Sequence, residues 1–167
     1  MKGFILSFIT LLYFNVHAQT YSSTLKDHEI FSFMDGQLKS KTLKHPRSID
    51  SHVISWDSSI LRDSTLNKFF TGADISFLVK QIKNIKKDKW EHKFPAARLI
   101  REIPDGSTQS TAIFSYSIPL LSVDKKKALV IEGFYCGLLC GGGAYYIFEL
   151  QIDGSWKRIK KFKEWAE

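Results

Sequence analysis

Apolar positions recur at helical intervals in the first half of the chain and gather into strand-like runs in the second. Leu25, Ile30, Phe31, Phe33, Met34 and Leu38 share a period near 3.6, which predicts a helix over residues 25–38. Ser23 or Thr24 is placed to cap it, and Asp27 and Glu29 suit its first turn. Lys39, Lys41, Lys44 and His45 suit its C-terminal end, and Pro46 closes it. Residues 48–62 scatter Val53, Ile54, Trp56, Ile60 and Leu61 among Ser and Asp, giving a short strand or an irregular segment. Residues 64–70 read as a short helix ended by Gly72. A longer helix follows, with Asp74 as its expected N-cap and Ile75, Leu78, Ile82 and Ile85 along its apolar side.

From Trp90 onward the period changes. Strands are expected over residues 97–103, 111–117, 128–135, 144–152 and 155–159, punctuated by Pro104-Asp105-Gly106, Pro119 and the polar turn Asp124–Lys127. Residues 136–143 read as a loop, and Asp153-Gly154 as a two-residue type I′ hairpin turn. Short connections favour antiparallel pairing. The expectation is an α+β fold: N-terminal helices on one face of a C-terminal antiparallel meander of four to five strands.

The N-terminus does not belong to that fold. Met1-Lys2 precedes the apolar run Gly3–Val16, and Val16-His17-Ala18 puts small residues at the −3 and −1 positions of a cleavage site before Gln19. This is the pattern of a secretory signal peptide over residues 1–18. The run is too short for the roughly 20 residues a membrane span needs. With no cysteine at the cleavage position, a lipid anchor is not expected. Residues 19–167 then form one domain, with 19–47 partly a flexible lead-in and helix, soluble in the periplasm or outside the cell.

Composition supports a real core, since 44% of residues are hydrophobic and 25% charged, which excludes a disordered or collagen-like chain. Loss of Lys2 leaves 24 − 1 = 23 Lys and Arg against 17 Asp and Glu, so the +7 of the whole chain becomes +6. The excess is concentrated in Lys80, Lys83, Lys86, Lys87, Lys89 and Lys93, and in Lys157, Arg158, Lys160, Lys161 and Lys163. Trp90, Trp156 and Phe162 interleave with these, the composition of a stacking surface for single-stranded nucleic acid. Lysine outnumbers arginine, however, and nucleic acid is scarce outside the cell. A solvated face is favoured, and an envelope protein, an anionic glycan or a membrane surface is a better expected partner than nucleic acid.

The densest chemical signal is Phe134-Tyr135-Cys136-Gly137-Leu138-Leu139-Cys140-Gly141-Gly142-Gly143. In an oxidising compartment the default for Cys136 and Cys140 is a disulfide. The spacing Cys-x-x-x-Cys between strands does not suit a redox motif, which uses Cys-x-x-Cys at a helix start. A cysteine nucleophile needs a histidine base, and His28, His45, His52 and His92 all lie outside this half of the sheet. No further ligands accompany the pair, so neither a metal nor a cofactor is expected. Gly141 to Gly143 form a weak candidate for an anion nest. Glu132 and Glu149 flank the loop, and a hairpin centred on it would set them opposite each other, as paired carboxylates for acid–base work. A solvent-facing pair answered by Lys157 or Arg158 is the plainer reading. Trp90-Glu91-His92 adds His92 as a further weak catalytic candidate.

Tyr135-Cys136-Gly137-x-x-Cys140-Gly141-x-Gly143, with Ser117-Ile118-Pro119 and Lys125-Lys126-Lys127-Ala128 before it, resembles small exported proteins of Bacteroidota-type bacteria. Asp153-Gly154-Ser155-Trp156-Lys157, Trp165 and the segment 74–81 extend the resemblance over residues 66–167. It implies export and an α+β arrangement, and no particular chemistry. The expected function is that of a non-catalytic envelope or secreted binding module. The alternative is a small periplasmic hydrolase with a carboxylate or histidine pocket beside the cysteine loop.

Overall fold

The computed structural model describes residues 21–39, 47–101, 112–137 and 140–166. In chain order these form α1 (Asp27–Lys39), β1 (Arg47–Val53), 3-10 turns at Ser58–Arg62 and Leu66–Lys68, and α2 (Gly72–Lys83). The strands β2 (Ala97–Ile100), β3 (Ile113–Tyr116), β4 (Leu120–Leu121), β5 (Lys127–Gly137), β6 (Cys140–Leu150) and β7 (Trp156–Ala166) follow. The predicted signal peptide, the helix end at Pro46 and the Pro104-Asp105-Gly106 break lie outside the described residues.

The chain is α+β, but its sheet is larger than expected and mixed. Seven strands lie in the order β2-β1-β3-β5-β6-β7, with β4 pairing β5. β5, β6 and β7 make the antiparallel meander. β1 runs parallel to both β2 and β3. Parallel neighbours need a long crossover, and the connection carrying α2 supplies it between β1 and β2. With only Ile49 and Val53 apolar in Arg-Ser-Ile-Asp-Ser-His-Val, β1 shows little alternation of its own.

Helices cover both faces of the sheet, not one. Ala128 and Val130 of β5 point to α1, where Ile30, Phe33, Met34 and Leu38 are buried. Leu129, between them, points the other way to Leu78 of α2 and to Ile60, Leu61 and Leu66 of the 3-10 turns. A strand covered on both faces needs apolar residues at successive positions, which explains the unbroken run Ala128–Ile131.

Thr71, rather than Asp74, caps α2. The Thr71 hydroxyl accepts the Asp74 N–H at 3.2 Å, and the Asp74 carboxylate accepts the Thr71 N–H at 2.9 Å. This reciprocal box moves the helix start to Gly72, which the sequence pattern had made a helix stop. The second Asp74 oxygen accepts the Val123 N–H at 2.9 Å, tying α2 to the turn before β5. Burial pushes the Asp74 pKa up, but its hydrogen bonds with Val123 and Thr71 outweigh this and hold it below the ordinary value. Two residues before its other end, Gln81 is 1% exposed. Its amide donates to the Leu121 carbonyl at 2.6 Å and accepts the Leu121 N–H at 2.9 Å. A helix side chain thus pairs with β4 as a neighbouring strand would.

The turn into β7 is not type I′, which needs positive φ at both central residues. Only Gly154 has it, at 80°. Gln151 N–H donates to Ser155 O, giving a three-residue loop, and Asp153 Oδ1 accepts the Ser155 N–H and hydroxyl. β7 then runs to Ala166, well past the expected end, as an edge of the sheet. Its register against β6 shifts twice, and Lys163 takes a positive φ of 46°. Bulges and lysines on an edge strand discourage pairing with other chains, a role that suits Lys160, Lys161 and Lys163.

Candidate functional site

Residues 136–137 and 140–143 continue two strands, where the sequence pattern predicts a loop. β5 runs to Gly137, β6 begins at Cys140, and Gly137 pairs with Cys140. Cys136 and Cys140 are joined across this end, with Cα atoms 5.1 Å apart. Gly141, Gly142 and Gly143 face Tyr135, Phe134 and Gly133 in the ladder, so they form no anion nest. Alkylation of the native protein followed by intact-mass measurement is expected to find no free thiol, and two would refute the bond. Replacing both cysteines by serine is expected to cost about 2 kcal/mol on the chain-entropy account.

The same register separates the two carboxylates. Glu132 pairs with Ala144, and Glu149 pairs with Lys127. The odd offset of five positions from 144 to 149 also puts the two side chains on opposite faces of the sheet. The expectation that they face each other rests on a hairpin centred on a wide loop, whereas the ladder is still paired at Gly137 and Cys140, which shifts the register by five positions. His92 lies at a third place. Its ring stacks on Phe31 of α1 at 3.9 Å between centroids, and its Nε2 stands 3.9 Å from Asp35 Oδ2. The Tyr21 hydroxyl accepts the backbone N–H groups of Glu91 and His92 at 2.6 and 3.2 Å, fixing this segment against α1.

Glu132 does enter a groove, between α1 and the β5-β6-β7 meander, with a volume of about 650 Å³. Phe33, Met34 and Leu38 form its helical wall, since positions 33, 34 and 38 share the buried side of α1. Val130, Phe148 and Trp156 form much of the sheet floor. Phe33 meets Phe148 and Trp156 edge-on at 5.3 and 5.0 Å, so these walls are set by aromatic packing. Glu132, Lys157 and Arg158 are the charged residues that line the groove. The Arg158 guanidinium carbon lies 4.0 Å over the Tyr146 ring, and Nη2 is 3.8 Å from Glu132 Oε2. Burial, and then the negative charge of Glu132, push the Tyr146 hydroxyl pKa up, so it remains a neutral donor at neutral pH. Tyr146 and Arg158 were missed in the sequence as groove residues. Their signal was the alternation of β6 and β7, which puts them with Phe148 and Trp156 once the register is known.

The aromatic residues interleaved with lysine do not make a stacking surface. Trp90 is 2% exposed, Trp156 sits under α1, and Phe162 packs on the other face with Tyr145. Among the described residues no group of three His, Cys, Asp or Glu side chains is placed to hold a metal ion. No helix among them is long and apolar enough to cross a membrane.

The structure thus defines the class as α+β, a seven-stranded mixed sheet covered on both faces, with an apolar groove and a charge pair under α1. Comparison of the chain with protein-family models, curated proteins and solved structures finds no match.

Proposed function

We propose that this protein is an exported binding module that holds a small amphipathic ligand in the groove under α1. The observation that carries the reading is the groove's polarity. Apolar walls from Phe33, Met34, Val130 and Phe148 lead to Arg158, held over Tyr146 and half-open to solvent. Such a site takes an apolar body and orients it by a carboxylate or similar head on the guanidinium fork. Export is supported by the N-terminal pattern of the sequence and by the joined cysteines. A hydrolytic reading has less support, because Glu132 is paired with Arg158 while Glu149 and His92 lie elsewhere.

The test is displacement of anilinonaphthalene sulfonate, followed by the fluorescence of the bound dye, by fatty carboxylates from octanoate to laurate. Saturable binding that strengthens with chain length is expected. Arg158→Ala is expected to weaken it about tenfold or more, as for loss of one charge-assisted hydrogen bond. Absence of saturation, or equal affinity in Arg158→Ala, would overturn the proposal. So would ester hydrolysis that disappears in Glu132→Gln.

A further inference from the structure

A second cavity, of about 880 Å³, opens beside the other end of the sheet, where the segment after α2 meets β2. Lys89, Lys93, Arg98 and Arg101 line it. All four are exposed, and among the described residues none has a carboxylate within ion-pair distance. The one acidic lining residue, Glu91, is already engaged by Lys87, whose Nζ lies 3.2 Å from each carboxylate oxygen. Arg158, Lys163, Lys161 and Lys125 do find carboxylates, while Lys80, Lys83 and Lys160 among others have no ion pair, so what sets the four apart is the cavity they share.

The scaffold beneath these charges is fixed. Lys89 bridges to His52, the Trp90 N–H donates to Ser51 O at 2.7 Å, and the Val53 N–H donates to Asp88 O at 2.8 Å. Trp90 is buried below, and Arg98 is carried by β2 opposite Ser48 of β1. Ala97 and Leu99 add apolar surface between the charges. Four cations on or beside these segments converge on one cavity and can meet several anionic groups at once, with side-chain ordering as the cost of binding. The cavity has room for several sugar rings. Its guanidinium forks match sulfate, phosphate or uronate groups.

We infer that this cavity is a binding site for a polyanionic glycan, separate from the groove under α1. It gives the basic character of the chain a specific address, and that address is neither α2 nor the β7 edge. The test is isothermal titration with a heparin-derived hexasaccharide at 50 and 150 mM salt, with maltohexaose as the neutral control. Saturable binding of the anionic sugar alone is expected, weaker at the higher salt. Lys93→Ala/Arg101→Ala is expected to lose at least tenfold in affinity, with its circular dichroism spectrum and thermal midpoint showing the fold intact. Lys80→Ala/Lys83→Ala removes the same charge from α2 and is expected to change affinity less than twofold. Equal losses in the two variants would overturn the site in favour of undirected net charge. No hexasaccharide binding, or binding of a thymidine dodecamer as tight as that of the sugar, would also overturn it.

Discussion

Replacing Gln81 by alanine is expected to destabilise the protein by about 3 kcal/mol, since it strips partners from two buried backbone groups at once. Gln81 satisfies both the N–H and the C=O of Leu121, in a place where Leu121 itself is 2% exposed. Each unpaired group costs roughly 1–3 kcal/mol, and the side-chain cavity adds to that. Gln81→Met separates the two contributions, because it keeps the volume and removes only the hydrogen bonds. Urea unfolding is the measurement. If the methionine variant loses less than about 1 kcal/mol, the amide clasp is not what holds α2 to β4. The expected loss corresponds to a fall in thermal midpoint on the order of 6–12 °C for a domain of this size.

Gly143→Ala is the second large effect, expected to cost about 2–3 kcal/mol through overpacking. A methyl group at this position would stand 2.2 and 2.5 Å from ring carbons of Trp165 and 2.6 Å from the Glu132 carbonyl oxygen. Trp165 crosses from β7 and lays its ring over the glycine, where a side chain would otherwise be. Adding Trp165→Ala removes the ring clash but leaves the carbonyl contact. The double variant is therefore expected to recover part of the loss and not all of it, which a double-mutant cycle would measure. Gly36→Ala in α1 supplies the opposite sign. Nothing lies within 4 Å of a methyl there, and alanine in a helix interior is expected to gain about 0.5–1 kcal/mol. Similar losses at both glycines would refute the close-approach account.

The glycine run shows why part of this structure was not legible beforehand. Four glycines near two cysteines carry the composition of a loop, and glycine weakens a strand when only its own neighbours are considered. Gly142 and Gly143 are nonetheless strand residues, because Phe134 packs beside one and Trp165 fills the side-chain space of the other. That error propagated. Treating the segment as a wide loop displaced the β5-β6 register and set Glu132 against Glu149, whereas the ladder sets it against Ala144. Arg158 does answer Glu132, the counter-charge the sequence offers for it, and β7 in addition lays it over the Tyr146 ring in the groove.

Local pattern by itself determined α1, the body of α2 and the strand runs around residues 128–135 and 144–150, along with the place, though not the type, of the turn at Asp153-Gly154. These follow from periodicity and turn chemistry, which act over a few residues and are written in neighbouring positions. It also indicated the cysteine pair, because two thiols four residues apart need little help from the rest of the chain to meet. Tertiary structure alone decided that β1 enters the sheet, that helices cover both faces, that Thr71 caps α2, and that Gln81 substitutes for a strand. It also decided which charges share a groove. Each of those depends on a partner far away in sequence, and a residue's own polarity does not say which distant backbone or ring will come to lie against it.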